Sequence, residues 1–247
     1  MTKKNRPDLS IVIPAYREEH RVGNTLRQLR RFLDTNPVMR NLTVEILVVV
    51  ADAPDDTKAV VAKELKAFPG SRLILTGPRV GKGRDVRTGV MAATGSAVLF
   101  MDADLATPLR YIPQFYAVFQ NGFQVVFATR NLHKHHPQFV RRAISILGNV
   151  LFRLLCGVSV EDSQCGFKLF SRGAAQKCFA NLSIMGWGFD MEVLTVAHIY
   201  RLPMKAVRIE DWRSVPGGTY NDNVIKSSFL SLVEMCNIVV RKWLGRY

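Results

Sequence analysis

The sequence predicts an α/β domain with a mostly parallel sheet, helices on both faces of the sheet, and amphipathic helices towards the C-terminus. Short β-branched apolar runs alternate with segments of helical periodicity through the first half of the chain. The chain has 247 residues and is 48% hydrophobic, which is enough for one large core. We see neither a linker nor an internal repeat, and we therefore expect a single domain over residues 1–247.

The predicted strands are short runs of mainly Val, Ile, Leu and Ala, as is typical of strands buried on both faces. They are Leu9–Ile13, Val44–Val50, Leu73–Thr76, Ala97–Met101 and Gln124–Ala128. Helical spacing of apolar residues predicts helices between them, at Glu18–Leu33 and at about residues 56–68 and 83–93. Because strands and helices alternate, most neighbouring strands should be parallel and joined by crossover helices.

The second half of the chain differs in its pattern of polar and apolar residues. Residues 130–138 are polar and predict a loop, whereas Gln138–Gly157 predicts a long helix with a narrow polar stripe. Asn223–Leu244 predicts another, ending in Trp243 among arginines and lysines. Helices that are apolar over most of their circumference are usually buried. Tryptophan with clustered cations also suits a bilayer interface, however, and both interpretations stay open.

The composition restricts the partners of the protein. Lys and Arg number 34 against 20 Asp and Glu, a net charge of +14 that attracts nucleic acid, anionic lipid or phosphorylated substrates. Most aromatic residues lie in apolar runs and not among basic ones, so we expect no nucleic-acid partner, and a basic nucleic-acid-binding protein remains the non-enzyme alternative. Without a secretory signal or an apolar run of roughly 18–20 residues, we expect a cytoplasmic protein. Four cysteines in no zinc pattern should be free thiols.

Two carboxylates directly follow a predicted buried strand. Asp102 and Asp104 are separated by Ala103 and come after Ala97–Met101. Open α/β sheets bind ligands at the carboxyl ends of their strands. Carboxylate oxygens suit Mg²⁺ or Mn²⁺, which also accept phosphate oxygens. We expect this pair to hold a divalent cation that grips a diphosphate, the alternative being a solvated turn.

Two further turns border the same predicted edge of the sheet. Residues 14–19 end the first strand and open a helix, where acidic residues are also ordinary first-turn chemistry. Residues 81–84 combine two glycines with Lys82 and Arg84, so that flexible backbone and cations can meet phosphate. The spacing of a Walker loop is absent, and an ordinary basic turn is the alternative.

Six segments taken together resemble the family-2 inverting glycosyltransferases, in particular those that load a sugar onto a polyprenyl phosphate. These segments, in order, are residues 10–16, 81–83, 102–104, 162–170, 186–192 and 212–218. The resemblance runs from about Ser10 to Tyr247. It implies a Rossmann-like fold of the GT-A type, with a nucleotide-sugar-binding half at about residues 1–130 and an acceptor-binding half at 131–247.

The resemblance also implies an activity. It points to metal-dependent, inverting transfer of a hexose onto a polyprenyl phosphate of the dolichyl type, with UDP-glucose as the leading donor and Mg²⁺ or Mn²⁺ as cofactor. GDP-mannose, UDP-N-acetylhexosamine and a soluble or polysaccharide acceptor remain alternatives. A lipid acceptor implies peripheral association with the cytosolic face of a membrane, or pairing with a separate membrane protein.

Site residues follow from the resemblance position by position. Those implied in donor binding are Pro14, Ala15, Tyr16, Glu18, Asp52, Lys82, Asp102, Ala103 and Asp104. Those implied in acceptor binding are Arg141, Arg142, Gln164 and Glu192. The implied catalytic set is Asp104, Asp162 and Asp190, with Asp162 as the base or as the group that orients the acceptor. Because a lipid monophosphate has a second pKa of about 6, a strong base is hardly needed.

The sequence departs from the family pattern in two places. After the second strand the family carries two adjacent acids and Gly-Ser, whereas this chain has Asp52 without its acidic neighbour, which leaves the base of the nucleotide open. Gly217 and Gly218 stand where glucosyltransferases tend to have Gly-Ser. Three nearby histidines, His133, His135 and His136, could complete a metal site, but a hard Mg²⁺ prefers oxygen, and a solvated loop is the favoured interpretation.

Overall fold

The structure is a computed structural model, and it describes residues 6–130, 148, 150–160, 162–213 and 224–247, with side chains in the last segment from Leu230 onward. Seven strands in these ranges form one sheet in the order β3-β2-β1-β4-β6-β5-β7. They are β1 Leu9–Ala15, β2 Val44–Val50, β3 Arg72–Leu75, β4 Ala97–Met101, β5 Val125–Arg130, β6 Phe167–Ser171 and β7 Met204–Ile209.

Helices cover both faces of this sheet. Those bounded within the described residues are α1 Val22–Thr35, α2 Thr57–Glu64, α3 Lys82–Ala92, α4 Tyr111–Gln120, α5 Arg172–Ala180, α6 Phe189–Ile199 and α7 Val224–Trp243. Residues 150–156 are also helical, and they belong to the predicted helix Gln138–Gly157, most of which lies outside the described residues. The sheet and its helices confirm the predicted fold class.

Strand direction decides which loops meet. β1 pairs in parallel with β2 and β4, β2 with β3, and β5 with β7, whereas β6 runs antiparallel between β4 and β5. The carboxyl ends of the parallel strands therefore share one edge of the sheet with the start of β6, where Met101 pairs with Phe167. Residues that follow β1, β4, β5 and β7, and those that precede β6, are thus brought to the same edge.

The sequence predicted the strongly apolar strands best. The predicted bounds of β2 and β4 are those observed, and β1 continues through Pro14 and Ala15. Helix α1 begins at Val22 and not at Glu18, because the chain first turns through Arg17, which has a φ of 58°. The elements that were not predicted are α4, α5, α6, β6 and β7.

The core lies on both faces of the sheet. Ile11 and Ile13 pack on the face covered by α1, α2 and α4, whereas Val12 packs on the face covered by α3, α5 and α6. Gly89 lets α3 lie directly on this second face, since a Cβ there would come within 2.8 Å of the Val49 side chain. Close packing on both faces fixes the strands and hence the loops at their carboxyl ends.

The helix predicted at Asn223–Leu244 is observed as α7, but it is only partly buried. Met235 and Ile238 face the core, whereas Val240 and Leu244 are exposed and Trp243 is 84% exposed. Of the two interpretations that the sequence left open, burial therefore applies to the inner face of α7 and not to this outer face. The four cysteines are free, as expected, and Cys236 on α7 is the exposed one.

Candidate active site

The two carboxylates that follow β4 lie at the edge of the sheet where the strand ends meet. Ala103 between them is buried, and its carbonyl accepts a hydrogen bond from the Thr25 hydroxyl at 2.5 Å. Asp102 Oδ1 forms an ion pair with Lys82 Nζ at 2.5 Å. Asp104 Oδ1 accepts a hydrogen bond from the backbone N–H of Ala106 at 2.9 Å. Both side chains are half-buried, so the pair lies in a recess and not on an open turn.

Negative charge accumulates around this pair. Burial raises the pKa of Asp104, and the nearby Asp102 charge raises it further. Burial also raises the pKa of Glu18, against the opposing effect of Arg21, and the charges of Asp104 and Asp102 add to the rise. These shifts mean that the carboxylates at the ends of β1 and β4 repel one another, and a cation at the site would relieve that repulsion.

The residues fit a divalent cation whose ligand shell is shared with a substrate. Among the residues that the structure describes, no group of three or more His, Cys, Asp or Glu side chains forms a metal site by itself. Asp102 and Asp104 supply hard oxygen ligands, and a Mg²⁺ ion commonly takes one or two carboxylates together with phosphate and water. Gly166 leaves room for the Asp102 carboxylate, because a Cβ on Gly166 would lie 2.7 Å from Asp102 Oδ1.

Lys82 begins α3 and is held over the carboxylates by its neighbours. Burial lowers the pKa of Lys82, but Asp102, Asp190 and Asp104 outweigh burial and raise it, so the side chain is a fixed positive charge. Its Nζ also lies 5.1 Å from the centre of the Trp187 ring. The predicted donor-site lysine is thus placed between acids from two elements, β4 and α6.

The glycines beside Lys82 make room for protein backbone. Gly83 donates its N–H to the carbonyl of Met185 at 2.8 Å, and a Cβ on Gly83 would lie 2.6 Å from the carbonyl oxygen of Ile184. The observed role of these glycines is to admit the 184–186 backbone, and their close approach to a phosphate stays a prediction. Arg84 donates to the carbonyls of Pro78 and Thr76, so it holds the preceding loop.

A second group of residues follows β1, β2 and β3. Tyr16 is half-buried, and the guanidinium of Arg79 lies 3.8 Å from the centre of its ring. Asp52 is exposed at the end of β2, where its N–H bonds to the Gly77 carbonyl at 2.9 Å. Arg79 was not singled out from the sequence, although it precedes the basic turn by two residues. An aromatic face, a cation and a carboxylate thus border this part of the edge.

Two of the predicted residues contribute to the site through the strand and not through exposed side chains. Ala15 is buried in the core, so only its backbone can face a ligand, and Pro14 belongs to β1 and is half-buried.

Glu18 accepts hydrogen bonds from Arg21, and its own N–H bonds to the Thr57 hydroxyl at 2.8 Å. The loop after β1 is therefore tied to the loop after β2.

Asp162 is buried and is bound by Arg130. Its carboxylate accepts hydrogen bonds from Arg130 Nε at 2.6 Å, from a terminal guanidinium nitrogen at 2.9 Å and from the Arg130 N–H at 3.1 Å. Burial would raise the pKa of Asp162, but the Arg130 charge and hydrogen bonds outweigh burial and lower it. A carboxylate held this way is a weak base, so the structure favours its orienting role. The Arg130 guanidinium lies 5.1 Å from the Trp212 ring.

Asp190, another predicted catalytic acid, lies in the interior behind Lys82. Lys168 Nζ on β6, which is fully buried, is 2.5 Å from Asp190 Oδ1 and donates to the Cys165 carbonyl at 2.7 Å. Burial raises the pKa of Asp190, with Lys168 and Lys82 opposing the rise. Asp190 therefore links a buried lysine to the lysine that contacts Asp102, and Lys168 is a site residue that the sequence did not reveal.

The two predicted acceptor residues that the structure describes, Gln164 and Glu192, lie in different environments. Gln164 is exposed next to Asp162 and gives its N–H to the Asp162 carboxylate at 3.1 Å. Glu192 is fully buried and accepts hydrogen bonds from Ser183 and Ile184 and from the Tyr247 hydroxyl. These bonds occupy its oxygens, so acceptor binding was the wrong expectation for Glu192, which instead holds the 183–184 turn and the C-terminus.

The remaining predictions fall outside the described residues. They concern the acceptor arginines, the histidine cluster and the paired glycines, namely Arg141, Arg142, His133, His135, His136, Gly217 and Gly218.

Comparison with known sequences shows which proteins this chain is similar to. The sequence profile described as glycosyl transferase family 2 matches residues 10–179. A dolichyl-phosphate beta-glucosyltransferase of Dictyostelium discoideum is 28% identical, over 94% of this chain and 73% of its own length. One from Trichomonas vaginalis is 30% identical (85% of this chain, 67% of its own), and that of Homo sapiens is 28% identical (85% and 68%).

Solved structures share the fold. A mannosyl-3-phosphoglycerate synthase from Rubrobacter xylanophilus has a TM-score of 0.71 at 18% identity, covering 98% of this chain and 76% of its own. A glucosyl-3-phosphoglycerate synthase from Mycobacterium tuberculosis, in complex with Mn²⁺, UDP and glucosyl-3-phosphoglycerate, has a TM-score of 0.67 at 20% identity, covering 95% and 81%. At such identities the likeness concerns architecture, and it confirms the GT-A type of α/β fold.

The Asp162–Arg130 pair predicts a pH-dependent contribution to stability. We expect Asp162→Asn to lower the free energy of unfolding by about 3 kcal/mol at pH 7, because it removes the negative charge that faces a mostly buried guanidinium. Since the folded pKa lies below the ordinary value of 3.8, the wild-type contribution is complete above that value and is lost as pH falls through the folded pKa. Urea titrations of both proteins over a pH series measure the difference.

An exposed pair provides the control for that experiment. Arg30 and Asp34 form an i,i+4 ion pair on α1 with both side chains exposed, and Asp34→Asn should change stability little. A difference between wild type and Asp162→Asn that is equally small, or that grows as the solution is acidified, would contradict the assignment.

Proposed function

The chain belongs to glycosyl transferase family 2, and from this premise we propose that it transfers glucose from UDP-glucose to a dolichyl-type polyprenyl phosphate. The resemblance carried by the six sequence segments is confirmed by the family profile and by the relatives. The observation that carries the proposal is the Asp102, Asp104 and Lys82 cluster at the end of β4, in a chain whose relatives over 85–94% of its length are named dolichyl-phosphate beta-glucosyltransferases.

The stereochemistry follows from the substrates. The name of the relatives specifies a β-glucoside, whereas glucose is α-linked in UDP-glucose. A single in-line displacement, in which an acceptor phosphate oxygen attacks C1 as the bond to the UDP oxygen breaks, converts one configuration into the other. The protein must therefore hold the donor, stabilise the departing diphosphate and place the acceptor on the opposite face of the sugar.

The donor side of this reaction matches the cluster around β4. Asp102 and Asp104 would hold a Mg²⁺ or Mn²⁺ ion, which supplies positive charge to the leaving diphosphate. Lys82 is a fixed cation 2.5 Å from Asp102 Oδ1. It could therefore bind a phosphate oxygen of the diphosphate that the metal ion would hold beside Asp102. The Asp190 charge also raises the pKa of Lys82, and Asp190 is itself paired with Lys168. Tyr16 and Arg79 offer a stacked surface for the nucleoside, with Asp52 at its border.

The acceptor side needs positive charge more than it needs a base. A lipid monophosphate is mostly ionised near neutral pH because its second pKa is about 6. Asp162, with its lowered pKa and three hydrogen bonds to Arg130, fixes that arginine beside Trp212 and Gln164. We assign Asp162 to orientation of the acceptor side, with Arg141 and Arg142 as cations for the acceptor phosphate.

The assignment of donor, acceptor and metal is tested by one transfer assay. UDP-glucose, GDP-mannose and UDP-N-acetylglucosamine are each supplied with Mg²⁺ or Mn²⁺, with and without polyprenyl phosphate. We expect a lipid-extractable glucoside from UDP-glucose only when polyprenyl phosphate is present. Asp104→Ala should lower this rate by about 100-fold or more, because it removes a ligand of the ion that stabilises the leaving group.

The folded state should survive this substitution. Since Asp104 is repelled by Asp102, its removal is not expected to lower the thermal unfolding temperature, and Asp34→Ala on the exposed face of α1 is the matched control. Undiminished transfer by Asp104→Ala would disprove the metal assignment. Transfer from another donor, or to a soluble acceptor alone, would replace the proposed substrates.

The paired arginines make a separate prediction about the acceptor. Replacing Arg141 and Arg142 with Ala should raise the KM for polyprenyl phosphate by about tenfold or more, because charge-assisted bonds to the phosphate are lost. The KM for UDP-glucose should change much less. Initial rates at varied acceptor and donor concentrations separate the two constants, and an unchanged acceptor KM would remove these arginines from the site.

A lipid acceptor also requires contact with a membrane, and we propose that the outer face of α7 provides it. Val240, Trp243 and Leu244 are exposed together at the end of this helix, next to Arg246. Leu154 on the neighbouring helical segment 150–156 is 73% exposed, and Lys242 joins the two segments by donating to the Cys156 carbonyl. Tryptophan and leucine framed by cations suit the surface of an anionic bilayer. None of the helices in the described ranges has the length and apolar content to cross one.

Vesicle binding tests this surface. The fraction of protein that sediments with vesicles containing phosphatidylglycerol should fall several-fold for the double variant Trp243→Ala, Leu244→Ser, because apolar contact with the bilayer is lost. Leu75→Ser, an exposed position on the edge strand β3, should bind as wild type does. Equal sedimentation of the double variant would argue against this surface, and a concentration-dependent dimer abolished by it would assign the face to self-association.

A further inference from the structure

The turn formed by residues 184–188 is held from two opposite sides. On one side, Gly83 donates its N–H to the Met185 carbonyl at 2.8 Å and Arg84 donates to the same carbonyl at 3.3 Å. On the other side, the N–H of Gly188 donates to Glu234 Oε2 at 2.9 Å, and Glu234 belongs to α7. The turn therefore lies between the start of α3, which carries Lys82, and the C-terminal helix.

Two glycines, Gly186 and Gly188, leave space for the Glu234 carboxylate. A Cβ on Gly186 would lie 2.6 Å from Glu234 Oε1, and one on Gly188 would lie 3.0 Å from its Cδ. Gly188 has φ −75° and ψ 0°, a conformation open to any residue. Space for the carboxylate, and not an unusual backbone, is therefore what excludes a side chain at this position.

The turn carries an aromatic residue, Trp187, whose ring faces Lys82. The Trp187 side chain lies between the two glycines in sequence and is 45% exposed, with its ring centre 5.1 Å from Lys82 Nζ. Lys82 in turn contacts Asp102 at 2.5 Å. A shift of the turn would thus move Trp187 and loosen the segment that holds Lys82 over the carboxylates, and displacements of about 1 Å are enough to impair a binding geometry.

We propose that Glu234 is a positioning residue for the donor site: its carboxylate anchors the 184–188 turn, which is also bonded to the start of α3, and so fixes Trp187 and Lys82 beside Asp102. The inference rests on the proposed function for its consequence in donor binding. It is separate from the roles of the predicted site residues, because Glu234 acts through the Gly188 N–H and lies on a helix that contributes no predicted donor ligand.

Donor-site affinity provides the first test, with UDP and Mn²⁺ as the probe in titration calorimetry. Glu234→Ala should weaken binding about fivefold, the effect expected when a positioning hydrogen bond is lost. Glu234→Gln keeps an acceptor oxygen for Gly188 and should restore most of the affinity. Asn237→Ala, exposed on the same helix, should bind as wild type does. Unchanged affinity in Glu234→Ala, even with a lowered unfolding temperature, would reduce Glu234 to a purely structural residue.

Gly188→Ala approaches the same contact from the other side. The added methyl group would displace the carboxylate without removing it, so affinity should fall to a similar extent. Combining Gly188→Ala with Glu234→Ala should cost no more than either change alone, because both break one contact. Additive losses would show that the two residues act independently and would overturn the proposal.

Hydrogen exchange separates this proposal from the proposed function, since it needs no ligand. In wild type, the amides of Gly83 and Arg84 are bonded to Met185, and Glu234→Ala should speed their exchange although they lie on the far side of the turn. Unaltered exchange at Gly83 and Arg84 would contradict a role for Glu234 beyond its own contact. Failure of the wild type to bind UDP and Mn²⁺ would count against the proposed donor, while the exchange result would still decide the role of Glu234.

Discussion

The site depends on a row of alternating charges, formed by Lys168, Asp190, Lys82 and Asp102. Two lysines and two aspartates from β6, α6, α3 and the end of β4 are linked by ion pairs of 2.5 Å at both ends. Lys168 is fully buried, and the Asp190 carboxylate beside its Nζ is the partner that a buried lysine requires. The network fixes one cation at the strand end, where the carboxylates would otherwise repel each other.

The strands that border this site could be predicted from the sequence more readily than the elements that carry its buried charged residues. Buried parallel strands such as β2 and β4 are continuous apolar runs, so their bounds and the acids that follow them could be predicted. β6 and α6 could not, because Lys168 interrupts one and because Asp190 and Glu192 are buried in the other. A charged residue in the core makes its strand or helix hard to recognise from the sequence, because charged residues are normally expected to face solvent.

Local motifs drew attention to residues whose contacts they could not predict. The Gly-Lys-Gly turn suggested backbone that approaches phosphate, yet Gly83 approaches the carbonyl of Met185, about a hundred residues along the chain. Glu192 belongs to a motif implied in acceptor binding, but its oxygens are occupied by Ser183, Ile184 and Tyr247. Such assignments depend on long-range contacts, which the spacing of residues within a motif does not contain.

Helix α7 connects these observations. Its inner face contributes Met235 and Ile238 to the core, and Glu234 reaches the turn beside Lys82. About two and a half turns later the same helix exposes Trp243. One helix thus carries both the residue that we propose to position the donor site and the tryptophan that we propose to contact a bilayer, so a shift of the helix would affect both. In these proposals the C-terminal segment contributes to the site, although it follows the residues that match the family profile.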